Sequence, residues 1–159
     1  MAQSAKSSTE LSLPDEAATA ALARELAHLA RTGDVFALGG EIGVGKTFFA
    51  RAFIRALGGG GIEVPSPTFT LHQAYELPDA TVHHFDLFRL SGPEETRELG
   101  LEDAMAGGIT LIEWPDRLGP LLPGDRLEVA LAYADTPDSR RVTLSCHGAW
   151  AGRLGEIHG

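Results

Sequence analysis

The chain has 159 residues, is 43% hydrophobic, and carries 22 acidic against 13 basic side chains for a formal net charge of −9. That length and apolar content suffice for one hydrophobic core, while the acidic balance argues against a protein that grips nucleic acid unaided, because a phosphate backbone demands a basic face. A lone cysteine, Cys146, rules out an internal disulfide and fits a reducing cytosol; with no apolar run of membrane-spanning length and no signal-peptide core, a cytoplasmic protein without a membrane partner is expected.

Residues 1–10 are small and polar and read as a disordered lead, with 11–159 forming a single domain. Leu11-Ser12-Leu13 suggests a short strand. Pro14 with Asp15 and Glu16 opens a helix, since proline is tolerated in the first turn and acids there suit the helix dipole. Ala18, Leu22, Leu26 and Leu29 fall on one face of that helix, which is expected to end near Thr32-Gly33.

Val35-Phe36-Ala37-Leu38 is an apolar run of strand type. It leads into Gly40-Glu41-Ile42-Gly43-Val44-Gly45-Lys46-Thr47, which matches G-x-x-x-x-G-K-[ST], the phosphate-binding loop. A helix over Lys46 to Leu57 follows, stopped by the run Gly58 to Gly61. Glycines let such a loop approach phosphate oxygens without a Cβ in the way. Consecutive N–H groups ahead of a helix N-terminus then make a concave anion site. Lys46 can reach the β- and γ-phosphates, and the Thr47 hydroxyl can ligate magnesium. Only two lysines occur, Lys6 and Lys46, so arginine supplies nearly all the remaining positive charge.

Ile62 to Thr70 holds Pro65-Ser66-Pro67, which neither helix nor central strand accommodates. It reads as a rigid loop where a γ-phosphate-sensing segment would sit, with Thr68 the hydroxyl best placed to face magnesium or water. A proline-stiffened connection without a ligand is the alternative. Leu71 to Leu77 and Thr81 to Leu90, separated by Pro78-Asp79, suit an antiparallel hairpin. In its second arm Val82, His84, Asp86 and Phe88 share one parity, leaving Asp86 as a carboxylate in an apolar strand with Arg89 nearby to pair with it. His83 and His84 face opposite ways and are read as structural.

A short helix from Ser91 to Glu95 and another from Gly100 to Ala106 precede Gly108 to Glu113, a buried strand ending in an acid. Beside a phosphate loop this is the Walker B pattern, placing Glu113 at the sheet edge that binds ligands, as a direct or water-mediated magnesium ligand. Arg126 to Tyr133 and Arg140 to Cys146 pair as a second hairpin, and Trp150 to Ile157 suggests a terminal helical turn. The implied fold is α/β, a P-loop NTPase-type three-layer sandwich with a mixed central sheet flanked by helices.

The absence of any asparagine removes the Asn-Lys-x-Asp guanine-reading loop of signalling GTPases, and no arginine-rich lid of the small-molecule kinase kind stands between Lys46 and Glu113. A compact ATPase remains. No strong base or arginine finger is identifiable within the motifs, so weak turnover and stimulation by a partner are expected.

Leu11-Ser-Leu-Pro-Asp-Glu, the phosphate loop, Ser66-Pro-Thr-Phe-Thr-Leu, His84-Phe-Asp-Leu-Phe-Arg-Leu and Glu113-Trp-Pro stand in an order and at intervals that resemble the bacterial TsaE (YjeE) family, over roughly Leu11 to Leu118. The resemblance implies an ATP- and ADP-binding, slowly hydrolysing, magnesium-dependent protein. It would serve the threonylcarbamoyl modification of adenosine in tRNAs that read codons starting with adenine. It would act on a TsaB–TsaD complex, with tRNA engaged only indirectly through those partners. By matching position, Gly43, Val44, Gly45, Lys46, Thr47 and Phe48 would hold the phosphates. Thr47 and Glu113 would hold the magnesium, and Asp86 would be the acid required for activity. Trp114 would support the switch region around Ser66 and Thr68, and Glu16 would lie near the nucleoside. Family members commonly have tyrosine where this chain has Phe69 and Phe88, departures that remove two hydroxyls and no charge. A P-loop small-molecule kinase and a non-hydrolysing nucleotide-sensing adaptor are the alternative readings.

Overall fold

A computed structural model describes residues 7–59, 62–65, 70–90 and 92–154. Seven strands form one mixed sheet: β1 (Ser7–Leu13), β2 (Val35–Gly39), β3 (His72–Glu76), β4 (Thr81–Asp86), β5 (Ile109–Glu113), β6 (Arg126–Tyr133) and β7 (Arg140–His147). Their order across the sheet is β1-β7-β6-β2-β5-β4-β3. The four central strands, β6, β2, β5 and β4, run parallel, whereas β7, β1 and β3 add antiparallel edges. The central pair β2 and β5 are buried along nearly their whole length, as strands covered on both faces are, whereas β6 alternates buried with more exposed positions.

Helices α1 (Glu16–Leu29) and α2 (Lys46–Gly58) pack together on one face. Their core there includes Leu22, Leu26, Phe49 and Phe53 against Phe36, Leu38 and Leu111. Phe36 meets Phe53 and Trp150 edge-on, with ring centroids 4.9 and 5.3 Å apart. Short helices α3 (Thr96–Leu99) and α4 (Leu101–Gly107) belong to the second face, where Leu101, Ala104, Val35, Phe85 and Ile112 form a smaller core. Val35 and Ile112 have opposite parity to Phe36 and Leu111, so period-two alternation assigns the two cores to the two faces. No described helix is long and apolar enough to cross a membrane.

The structure moves several expected boundaries. β1 starts at Ser7 rather than Leu11, because residues 7–10 find ladder partners Cys146 to Thr143 on β7. A polar stretch can be an edge strand when the neighbouring strand supplies the pairing; residues 7–10 are therefore not part of a disordered lead, and 1–6 lie outside the described residues. The Asp15 side chain caps α1 by accepting from Ala18 N–H at 2.9 Å. That helix ends at Leu29, three residues short of the expected Thr32-Gly33, where Ala30 turns extended. β4 ends at Asp86 instead of continuing to Leu90; Leu87 N–H bonds the Glu113 carbonyl and the chain then turns. The expected terminal helix is a 3-10 turn at Gly148–Trp150, with residues 155–159 outside the described set.

Candidate nucleotide-binding site

Three strand ends build the site. β2 feeds the phosphate loop, β4 ends in Asp86 and β5 ends in Glu113, all at the carboxyl edge of the parallel strands, where open α/β sheets bind ligands. The ladder places Leu38 opposite Glu113 and Glu113 opposite Asp86, so two carboxylates stand side by side on neighbouring strands. Both are almost fully buried. A cavity of about 390 Å³ opens over them. Gly43, Gly45, Lys46 and Thr47 of the loop line it together with Asp86, Glu113 and Trp114.

The loop is held in shape by long-range contacts. Gly40 has φ +134, and a Cβ there would lie 2.5 Å from the Leu131 carbonyl oxygen. Tyr133 Oη donates to the Ile42 carbonyl at 3.1 Å, and Arg140 Nε donates to the Val44 carbonyl at 2.7 Å. These two residues, one each from β6 and β7, were not legible as site residues, because they lie more than ninety positions from the loop they brace. Val44 itself is buried and packs inward, so its contribution to an anion is its backbone.

Lys46 is 5% exposed. Its ammonium donates to the Gly40 carbonyl and, at 3.1 Å, to the Glu41 carbonyl, and lies 3.8 Å over the Trp114 ring. Burial lowers its pKa from the ordinary lysine value, while Glu113, Asp86 and Asp116 pull it back up. Trp114 reaches this position because its backbone adopts the left-handed conformation at φ +61, a turn costing about 1 kcal/mol for an L-residue. Its ring also packs on Phe88, with centroids 5.0 Å apart.

Thr47 Oγ1 bonds both oxygens of Glu113, at 3.0 and 2.9 Å. His84 Nε2 bonds Glu113 Oε2 at 2.7 Å and is fully buried. His84 is therefore part of the site, a correction to its reading as merely structural; the available signal was its shared parity with Asp86, one strand from the Walker B acid. His83 faces the other way as expected, bonded to His72. The Asp86 carboxylate accepts from the Phe88 N–H at 3.1 Å, which fixes the turn after β4. Arg89, expected from the sequence as a pairing partner of Asp86, also lines the cavity.

The remaining expected residues fall differently. Phe48 lines the cavity from the first turn of α2. Glu16, exposed at the start of α1, is not among the lining residues. Ser66 and Thr68 lie outside the described residues. Among the described residues no group of three or more His, Cys, Asp or Glu is arranged to cage a metal. The donors present, the Thr47 hydroxyl and the Glu113 carboxylate, are hard oxygens. They suit magnesium, which commonly takes one or two protein ligands and completes its shell with phosphate and water.

Known proteins resemble this chain over most of its length. Residues 13–142 match the family model described as threonylcarbamoyl adenosine biosynthesis protein TsaE. The tRNA threonylcarbamoyladenosine biosynthesis protein TsaE of Rickettsia bellii is 42% identical over 130 residues, covering 82% of this chain and 89% of that one. The protein of the same name from Bacillus subtilis is 36% identical over 136 residues, covering 85% and 82%. The crystal structure of Bacillus subtilis YdiB superposes with a TM-score of 0.79 at 28% identity, over 95% of this chain and 93% of that one. With a family match of this extent joined to a phosphate loop and its paired carboxylates, the chain belongs to the TsaE family.

Proposed function

We propose that this protein is a single-domain, magnesium-dependent ATPase with weak turnover of its own, serving the threonylcarbamoyl modification of adenosine in tRNA by acting on a TsaB–TsaD complex. The observation that carries the reading is the convergence, in one cavity, of Lys46 and Thr47 with Asp86 and Glu113 from neighbouring parallel strands. Backbone N–H groups from Gly43 to Phe48, at the start of α2, bind the phosphates of ATP or ADP. Lys46 leaves its loop carbonyls to neutralise the phosphate charge. Thr47 and Glu113 hold magnesium, whose part is to neutralise charge developing on the transferred phosphoryl group. His84 fixes the Glu113 carboxylate from behind, and Asp86 orients water or supports the metal. Trp114 packs against the lysine and has the supporting role for the switch residues Ser66 and Thr68. Glu16 is assigned to the nucleoside on the family resemblance alone.

The described residues lining the cavity bind and orient more than they activate. That favours slow hydrolysis that a partner accelerates by completing the site. The acidic character of the chain, −9 overall, supports contact with tRNA through the partners rather than directly.

The test is ATP hydrolysis by the purified protein with and without the matching TsaB–TsaD complex. The expected result is weak basal turnover, raised by the complex and abolished by Lys46→Ala. Turnover indifferent to the complex, or seen only with a small hydroxyl acceptor, would replace this reading with a kinase.

A further inference from the structure

A second groove, of about 620 Å³, runs between α1 and α2. Its small side chains, Ala20, Ala52 and Ala56, leave a trough, and its charge comes from Arg24, Arg51 and Arg55. Among the described residues no carboxylate lines it. Spacings of three and four along α2 put Phe48, Arg51, Ala52, Arg55 and Ala56 on one stripe of that helix. Arg51 Nε donates to the Val64 carbonyl at 2.8 Å and Arg55 Nε to the Ile62 carbonyl at 3.1 Å. Those bonds anchor the two side chains along the wall of the groove. Among the described residues none of the three guanidinium groups forms an ion pair. Arginines elsewhere differ: Arg126 pairs with Glu128, and Arg153 pairs with Asp34.

A cluster of three arginines without an ion pair among the described residues, in a chain with nine excess negative charges, is a local reversal of sign. We propose that this groove receives an acidic segment of a protein partner, whose carboxylates pair with Arg24, Arg51 and Arg55. Arginine forks match carboxylates bidentately. RNA is the weaker occupant, because three cations neutralise few phosphates while the net charge of the rest of the chain repels the strand. Phe48 lines both this groove and the phosphate cavity. A segment seated here therefore touches the first turn of the helix whose N-terminus holds the phosphates, which gives a partner a physical route to the nucleotide site. The inference rests on the partner-driven ATPase proposed above.

Its test uses the double variant Arg24→Glu/Arg55→Glu, whose two side chains are exposed and lie outside the nucleotide cavity. Thermal unfolding, basal ATP hydrolysis and ATP affinity of the isolated variant should stay near wild type. Calorimetric affinity for the purified TsaB–TsaD complex should fall about tenfold or more at low salt, with the gap narrowing as salt is raised. Undiminished affinity for the complex overturns the inference. So does a loss of ATP affinity in the isolated variant, which would assign the groove to the nucleotide. Retained protein binding with loss of tRNA from the assembly would assign it to RNA instead. Failure of the ATPase reading is visible separately, as wild-type turnover that the complex does not raise, and the docking proposal falls with it.

Discussion

His84 Nε2 and Glu113 Oε2 lie 2.7 Å apart, with the histidine fully buried and the acid 3% exposed. The acid that closes the Walker B strand is thus gripped from behind by a neighbouring strand while its open side bonds Thr47. The Glu113 carboxylate is therefore held by Thr47 at both oxygens and by His84 at one. His84 Nδ1 has no partner among the described atoms, so the glutamate is the reason for the histidine's polarity here.

His84→Ala should consequently cost about 2–4 kcal/mol, from the cavity and from leaving a buried carboxylate short of a donor. Thermal unfolding reads that loss. A positioning role makes a second demand: the magnesium concentration for half-maximal hydrolysis should rise in His84→Ala and return partway in His84→Gln, whose amide can donate to Glu113. Unaltered magnesium dependence in the alanine variant would leave His84 a packing residue only.

Lys46 over Trp114 supplies an optical signal. The ammonium sits 3.8 Å from the indole centroid, and phosphate binding should draw it away from the ring. Tryptophan emission should change on adding ATP, and the change should vanish in Trp114→Phe and in Lys46→Ala. The second variant should also bind ATP about a hundredfold more weakly, having lost hydrogen bonds from a charged donor worth about 3 kcal/mol. Emission from Trp150, fully buried near Phe36, should stay constant and serves as the internal reference. An ATP response that survives in Trp114→Phe would place the moving charge elsewhere.

Two loop glycines should respond differently to alanine. At Gly40 a Cβ would lie 2.5 Å from the Leu131 carbonyl oxygen and 2.8 Å from Val44 Cγ1, besides the strain of φ +134. At Gly45 φ is +123 with nothing within 4 Å of the added carbon. Gly45→Ala therefore carries backbone strain alone, of about 1–2 kcal/mol. Gly40→Ala must also displace β6, and should unfold at a clearly lower temperature. Equal midpoints for the two variants would show that the loop shifts freely against β6.

How far the sequence discloses these features depends on how local their cause is. Gly40 to Thr47 and Glu113 announce themselves because loop, strand and acid are each written in consecutive residues. The hairpins at β3–β4 and β6–β7 follow from alternation around turn residues. The short strand expected at Leu11 to Leu13 is the end of β1, but its first four residues escaped because Ser7 to Glu10 is polar, and their strand character comes from β7, more than 130 residues away. Tyr133 and Arg140 escaped for the same reason: an aromatic and an arginine in a terminal hairpin carry no local mark of bracing a distant loop. His84 lay between these cases. Its parity was readable, but the parallel pairing of β4 with β5 that brings it to Glu113 is a property of the assembled sheet.

The opposite sheet face predicts a pH dependence. His72 Nε2 and His83 Nδ1 lie 2.9 Å apart, and the His72 ring stacks on Phe85 at 4.3 Å. Burial lowers the pKa of His72, with the neighbouring charges of His83 and His84 adding to the effect, and burial likewise lowers that of His83. Both folded values thus lie below the unfolded value of about 6.5. In the interval between, the unfolded chain binds more protons, so stability is complete above the unfolded value and declines as the pH falls through it toward the folded values. The unfolding midpoint should drop as pH is lowered from about 7.5 to 5.5, a window that spans the histidine range and lies above most carboxylate titration. In the double variant His72→Phe/His83→Leu, which removes both titrating groups from an apolar face, the slope over that window should flatten. A slope as steep as wild type in that variant would move the acid sensitivity to another group.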